Sequence, residues 1–212
     1  GEGGLVWTKS RTATYDHWLF DTARSKDFPL RSNLNNAATD VGDTYFNSFN
    51  NNGFTVGSNA STNYAGMDFV SWAFRQAKGF FDVVTFTTGT NSNHRISHNL
   101  GCVPGMIIMK NTGEAEDWLA YHTSLGRDKY FRFNTTETVH TSTNFWGTSD
   151  PTSTDFGFNE NAWSPNGKPF VAYVFAGGQS PIDYSTYFDG NGDYLSMDSS
   201  SDLQLDGDFT IE

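Results

Sequence analysis

Phe170-Val171-Ala172-Tyr173-Val174-Phe175 is a run of six apolar residues, and Phe69-Val70-Ser71-Trp72-Ala73-Phe74 repeats its pattern 101 positions earlier. Short runs rich in aromatic and β-branched residues are strand signals, and their near-continuous apolar character predicts central strands buried on both faces. A second matched block stands ahead of each run. Gly4-Leu5-Val6-Trp7-Thr8-Lys9 returns as Gly105-Met106-Ile107-Ile108-Met109-Lys110, also at 101, and Trp18-Leu19 returns as Trp118-Leu119 at 100. Gly53-Phe54-Thr55-Val56-Gly57 corresponds more loosely to Asp155-Phe156-Gly157-Phe158-Asn159. Three blocks in one order at nearly constant spacing predict two copies of one module.

Within a copy the strand candidates are short. Lys129-Tyr130-Phe131-Arg132-Phe133-Asn134 alternates, placing Tyr130 and Arg132 on one side and Phe131 and Phe133 on the other, the period-2 pattern of a half-buried strand. About seven such strands per 100 residues is the count of a β-sandwich. The fold expected is therefore all-β, with tandem, jelly-roll-like β-sandwich modules. The first module takes residues 1–78, the second 79–178, and 179–212 form a linker and the start of a further domain.

The copies are unequal. Phe80-Phe81-Asp82-Val83-Val84-Thr85-Phe86 and His94-Arg95-Ile96-Ser97-His98 precede the Gly-Met-Ile-Ile block of the second copy, whereas only Gly1 to Gly3 precede the first. A sandwich without its first two strands leaves edges unpaired, so the pattern predicts that the natural polypeptide continues upstream. At the other end, Asp208-Phe209-Thr210-Ile211-Glu212 reads as the opening of a new strand, which predicts a segment of a longer protein.

Composition narrows the function classes. The 212 residues carry 13 basic and 24 acidic side chains, a net charge of −11. A nucleic-acid-binding face needs clustered Lys and Arg to neutralise phosphates, and this balance argues against one. It disfavours an anionic membrane surface likewise. No apolar run approaches the roughly 20 residues of a membrane-spanning helix. Charged residues make up only 17% and aromatics 16%, against about 25% charged in an ordinary domain. The one cysteine, Cys102, allows no intrachain disulfide and reads as a small packed thiol in a chain folding in a reducing compartment.

No pattern announces catalysis. There is no Gly-x-Ser-x-Gly elbow and no His-Glu-x-x-His. His94 and His98 lie about 13 Å apart along an extended chain, too far for one metal ion. Asp189, Asn191 and Asp193 imitate the start of a calcium loop, but Tyr194 and Ser200 stand where that loop needs Gly and Glu. The expectation is a non-enzymatic protein with no cofactor and no metal. Of the tryptophans, Trp7, Trp18, Trp72 and Trp118 lie in matched blocks and are expected in the core. Trp146 and Trp163 sit among Asn and other polar residues without a Trp at the counterpart of either. An aromatic face beside amides suits stacking on a sugar, so these two are the candidate glycan-binding residues. The alternative is that they pin long loops against the sandwich or fill a subunit contact.

The blocks Gly4 to Lys9, Leu19-Phe20-Asp21-Thr22, Phe80-Phe81-Asp82-Val83-Val84, Ser97-His98-Asn99-Leu100-Gly101-Cys102-Val103-Pro104-Gly105-Met106-Ile107-Ile108-Met109-Lys110 and Tyr173-Val174-Phe175-Ala176-Gly177-Gly178 resemble a repeat module of tail-fibre-like and other appendage proteins of marine and cyanobacterial phages. The stretch Tyr187-Phe188-Asp189-Gly190-Asn191-Gly192-Asp193-Tyr194-Leu195 with Asp208 to Ile211 is similar to the opening of a concanavalin-like or laminin-G-like jelly roll, a class that commonly binds glycans. The resemblance implies a structural virion protein, located on a tail fibre or the capsid surface and assembled in the host cytoplasm. It would form or present the part that binds a host glycan. Its implied partners are further copies of the chain, as a homotrimer, and other virion proteins. The rival readings are a carrier for a virion-associated polysaccharide depolymerase and a bacterial surface adhesin.

Overall fold

The computed structural model of the chain describes residues 3–163 and 166–177. They form an all-β structure of antiparallel strands: β1 (Gly4–Ser10), β2 (Trp18–Asp21), β3 (Leu30–Arg31), β4 (Phe46–Asn50), β5 (Gly53–Val56), β6 (Phe69–Arg75), β7 (Phe81–Thr87), β8 (His94–Ser97), β9 (Pro104–Asn111), β10 (Leu119–His122), β11 (Lys129–Arg132), β12 (His140–Thr141), β13 (Asp155–Phe158) and β14 (Pro169–Ala176). One helical turn, α1, spans Glu160–Trp163. The jelly-roll-like opening expected from 187 onward, and most of the expected linker, lie outside the described residues.

The repeat is written in the strand order. A four-stranded sheet runs β3-β2-β1-β6, and a six-stranded sheet contains the same series as β11-β10-β9-β14, extended by β12 at one end and β7 at the other. The ladders superpose at an offset of 101 throughout. Val6 faces Phe20 and Ala73, and Ile107 faces Tyr121 and Val174. The Trp18-Leu19 and Trp118-Leu119 match at 100 is therefore one residue out of register, because Trp18 pairs with Thr8 while Leu119 pairs with Met109, the counterpart of Thr8. Side chains alternate between faces along a strand, so a slip of one residue sends a side chain to the opposite face. Trp18 packs with Val6, Phe20 and Phe46 on one side of its sheet. Trp118 packs with Leu5, Leu19 and Leu30, against the other side.

The sheets stack. Leu5, Leu19 and Leu30 of the first copy meet Phe81, Val83, Ile108, Trp118, Val171 and Tyr173 of the second in one buried cluster. The far face of the six-stranded sheet, with Ile107, Met109, Phe170, Ala172 and Val174, packs on Ile96, Phe156 and Phe158 of the β8–β13 pair. The far face of the four-stranded sheet packs on Phe46, Phe49 and Phe54 of the β4–β5 hairpin. The order of layers is hairpin, four-stranded sheet, six-stranded sheet, strand pair. The two ladders share the middle core and belong to one compact unit, Gly1–Ser180.

Polar groups caught in that middle layer are satisfied in place. Asp21, 1% exposed, accepts hydrogen bonds from the Tyr173 hydroxyl (2.8 Å) and from Arg24 Nε and Nη2 (2.9 and 2.6 Å). Trp118 Nε1 donates across the layer to the carbonyls of Arg31 (2.9 Å) and Leu34 (3.1 Å). The opening glycines of the repeat also have a shared cause. A Cβ on Gly4 would lie 2.2 Å from the Phe74 carbonyl oxygen, and one on Gly105 would lie 2.4 Å from Gly177 Cα.

The matched apolar runs have different fates. β14 lies between β9 and β7 and is buried through most of its length. β6 pairs only with β1 among the described strands, and its middle residues are exposed. Trp72, expected in the core, is 44% exposed, and among the described residues no strand stands beside β6 as β7 stands beside β14. Burial on both faces, expected for the two runs alike, holds for β14 and not for β6.

Removing the Tyr173 hydroxyl takes one donor from a buried carboxylate that keeps its arginine. Tyr173→Phe is expected to lower unfolding free energy by about 1–3 kcal/mol, measured from denaturant midpoints. A change below about 0.5 kcal/mol would show that the bond across the copies contributes nothing.

Candidate functional site

The superposition at 101 uncovers a polar cluster built twice. In the first copy Asn33 Oδ1 accepts from the His17 backbone N–H (2.9 Å), Asn33 Nδ2 donates to Asp16 (2.8 Å), and Arg31 lies 3.3 Å from the same carboxylate. In the second copy Asn134 accepts from the Trp118 backbone N–H (2.8 Å) and donates to Asp117 (2.9 Å), and Arg132 lies 3.3 Å from Asp117. Each arginine then stands over a tryptophan ring with 5.3 Å from guanidinium carbon to ring centroid: Arg31 over Trp18 and Arg132 over Trp163. Those two tryptophans are not counterparts, since Trp18 comes from β2 and Trp163 from α1.

Chain geometry explains the arrangement. The aspartate precedes the second strand of the ladder and the arginine ends the third, and the asparagine two residues later folds back to hold the loop before the second strand. Asparagine serves because its amide accepts from the backbone and donates to the carboxylate at once. The arginine is anchored by a carboxylate while its planar face remains able to lie on an aromatic ring, a contact of about 0.5–2 kcal/mol. The signal for this cluster was present as Asp16, Arg31 and Asn33 recurring as Asp117, Arg132 and Asn134. The Trp18-Leu19 and Trp118-Leu119 match at 100, one residue out of register, masks it.

The two candidate sugar-stacking residues separate. Trp146 is fully buried in the six-stranded sheet's far core, ringed by Tyr121, Phe145 and Phe158, and its Nε1 donates to the Lys129 carbonyl at 3.0 Å. It has no face open to a sugar, and the stacking role expected for it is withdrawn. The polar residues around it in sequence belong to the turns that carry the ring inward. Trp163 is half-buried, edge-on to Tyr130 and Phe145, beneath Arg132.

Beside Arg31, the residues Trp18, Pro29, Ala37, Thr39, Val41 and Tyr45 line a cavity of about 220 Å³. Trp18 is 7% exposed, and its buried Nε1 has no hydrogen-bond partner among the described residues. The Tyr45 ring lies 4.6 Å from the Trp18 ring. The second copy differs, because Arg132 is held additionally by Glu137 at 3.2 Å.

Other titratable groups act as ties. Buried Glu160 accepts from the Asn91 backbone N–H (3.0 Å) and contacts His94 Nδ1, joining α1 to β8 and the loop ahead of it. Buried Asp82 accepts from the backbone N–H groups of Val83 and Asn99 and from Gln76 at the corner between β6 and β7. His98 is buried and its pKa is lowered by that burial. Lys9 and Lys110, the closing residues of the repeated block, do one job twice. Lys9 Nζ donates to the carbonyls of Ser10 (2.7 Å) and Ala13 (3.0 Å), and Lys110 Nζ to those of Asn111 and Glu114 (3.0 Å for the latter). Burial pulls the Lys110 ammonium down to about 8, against the opposing pull of Glu116 and Asp117.

Among the described residues no group of three or more His, Cys, Asp or Glu is placed to hold a metal ion, and no helix is long and apolar enough to cross a membrane. Cys102 is half-buried against the far core.

The fold and these clusters define an antiparallel layered β protein in which one ladder and one Asp-Arg-Asn cluster occur twice. Over residues 2–196 the chain matches the family described as Domain of unknown function (DUF7483), and it belongs to that family. Neither the curated proteins nor the solved structures contain a match.

Two measurements check this placement. Trp146→Ala is expected to cost about 3–5 kcal/mol of stability, as for a fully buried aromatic, and Trp163→Ala under about 2 kcal/mol; equal costs would contradict the assignment. Lys110 titrates near 8 folded and near 10.4 unfolded. The native state therefore binds fewer protons between those values, and stability rises with pH across the window. Relative to Lys110→Met, the parent chain should gain about 2 kcal/mol from pH 8 to pH 10 in denaturant midpoints, whereas parallel curves would remove Lys110 as the cause.

Proposed function

We propose that the chain is a non-enzymatic structural segment of a phage appendage, a tail fibre or capsid-surface fibre, that forms or presents the part of the virion that binds a host glycan. The observation that carries this reading is the repeat with its shared core. Two copies of one ladder are stacked sheet on sheet and tied by the Asp21–Tyr173 and Trp118 contacts across the layer, a construction that gives fixed length and surface from one reused unit. Repeated units whose neighbours bury a common core extend an assembly without any new catalytic arrangement. The resemblance of the blocks from Gly4 to Gly178 to appendage repeats supports a virion location. A net charge of −11 keeps such an assembly soluble through self-repulsion.

In this reading the partners are other virion proteins and further copies of the chain, as a homotrimer, since symmetry multiplies weak sugar contacts into avidity. The surface around Trp72, 44% exposed on β6, offers one contact surface.

The test is immunogold imaging of purified phage particles from the source culture, using antibody raised against residues 1–212. Label on tail fibres or capsid spikes is the expected result and says which appendage it is. Unlabelled particles beside labelled host cells would overturn the virion reading in favour of a bacterial adhesin. Release of reducing ends from host polysaccharide, lost on changing one acidic residue of this chain, would overturn the non-enzymatic part.

A further inference from the structure

The two copies differ in what covers β6 and β5, and the second copy shows what fits there. Alternate residues of a strand turn their backbone groups to opposite edges. In β14 the bonds from Thr88 N–H to the Lys168 carbonyl (2.9 Å) and from Ala176 N–H to the Phe80 carbonyl (3.0 Å) set Ala172 and Val174 toward β7. In β6 the bond from Arg11 N–H to the Asp68 carbonyl (2.8 Å) sets the even-numbered residues toward β1. Ser71 and Ala73, the counterparts of Ala172 and Val174, therefore turn to the other edge, where no strand stands among the described residues.

β5 shows the same contrast. The Thr154 carbonyl, just ahead of β13, accepts from His98 N–H (2.8 Å) on the β8 side, while Asn159 N–H turns to the Phe145 carbonyl (3.0 Å) on the other. In the first copy Gly57 N–H turns to the Tyr45 carbonyl (3.0 Å), and β4 continues along that second edge. The edge of β5 that matches the β8 side, with the backbones of Phe54 and Val56, carries no strand among the described residues.

Exposure follows these two edges. Trp72 turns to the middle layer and Ala73 to the hairpin side, and Ser71, Trp72 and Ala73 are all exposed. Their counterparts Ala172, Tyr173 and Val174 are buried, Tyr173 beside Phe81 and Val83 of β7 and the other two beside Ile96 of β8. One contiguous segment, residues 81–97, thus covers both faces of β14. Open strand edges are commonly blunted by Lys or Pro, and Phe69-Val70-Ser71-Trp72-Ala73-Phe74 contains neither. The chain also enters both ladders by one route. Gln76 N–H donates to the Gly3 carbonyl (3.0 Å) past the end of β6, and Gly177 N–H donates to the Val103 carbonyl (3.3 Å) past the end of β14.

We propose that the outer edges of β6 and β5 form a docking surface for a two-strand segment of the β7–β8 pattern, carried ahead of the first ladder in the same polypeptide as β7 and β8 are carried ahead of the second. Its first strand pairs antiparallel with β6 and sets a residue in the place of Val83 opposite Trp72. Its second strand pairs with β5 and covers Ser71 and Ala73. The docking follows from the repeat and does not rest on the virion reading.

The experiment fuses a second copy of residues 79–101 ahead of Gly1, which keeps the 101 spacing, and follows amide hydrogen exchange by NMR in the fused and the 212-residue chains. Ser71 and Ala73 amides are expected to exchange fast in the 212-residue chain and at least about tenfold more slowly in the fused chain, as for amides brought into a ladder. Ala73→Pro in the fused chain is the second variant. Its N–H faces the outer edge, where proline is tolerated in a strand, and the Trp7 and Trp72 amides report that the β1–β6 pairing is kept. Protection of Ser71 is expected to be lost in that variant. Equal exchange in the two chains, or Ser71 protection kept in Ala73→Pro, overturns the proposal. Slow exchange of Ser71 and Ala73 already in the 212-residue chain overturns it too, and assigns the edge to another occupant, a second copy of the chain where the protection rises with protein concentration.

Discussion

The apolar layer between the four-stranded and six-stranded sheets is the constraint on which the rest depends. Because the hairpin β4–β5 and the pair β8–β13 cover the outer faces, the central strands are buried on both sides. Such strands cannot alternate apolar with charged residues in the manner of a sheet with one wet face. Hence the low charged fraction of 17% and the crowding of aromatic and β-branched residues into short runs. Any polar group that remains in these strands must find its partner inside. Asp21 does so with Tyr173 and Arg24, and Lys110 with the carbonyls of Asn111 at the end of its own strand and of Glu114 beyond it.

A strand buried on both faces also makes register a matter of specific neighbours. Trp18 and Trp118 lie one residue out of step in the two ladders, and that step places one ring toward the β4–β5 hairpin and the other between the copies. The indole N–H of Trp118 then has carbonyls of the first copy to bond, whereas that of Trp18 has none among the described residues. Two tryptophans that look equivalent in the sequence thus do opposite work, one joining the copies and the other lining a cavity.

The all-β class and the repeat were legible because they follow from local composition and from blocks whose spacing survives in the chain. The 101 offset of Gly4 to Lys9 and of Phe69 to Phe74 is the offset of the ladders themselves. Side-chain burial was less legible, since it is fixed by strands distant in sequence. Trp146 sits in a polar stretch but is carried inward by its turn to meet Tyr121 and Phe158. The stacking of the copies through a common core was not legible either. An apolar residue on a strand announces that it is buried, not which sheet buries it. The Asp-Arg-Asn cluster falls between these cases: its residues recur at 101 in plain view, but they are polar and isolated, and only the hydrogen bonds show that they act together.

The contrast between what is kept and what moves in the two copies separates the loop closure from the arginine–tryptophan contact beside it. The arginine is held at one ladder position by the same aspartate in each copy, and the asparagine bonds that fix that aspartate and its loop agree within 0.1 Å. Its aromatic partner is not kept at one position, being drawn from β2 in the first copy and from α1 in the second. If the cluster served only to close the loop before the second strand, the asparagine and aspartate would suffice, and nothing would require a ring under the guanidinium. That a tryptophan is supplied each time from a different element, with its N–H left without a partner among the described residues, separates the arginine–tryptophan pair from the loop closure beside it. The ladder fixes the arginine, and the packing of each copy decides which tryptophan lies beneath it.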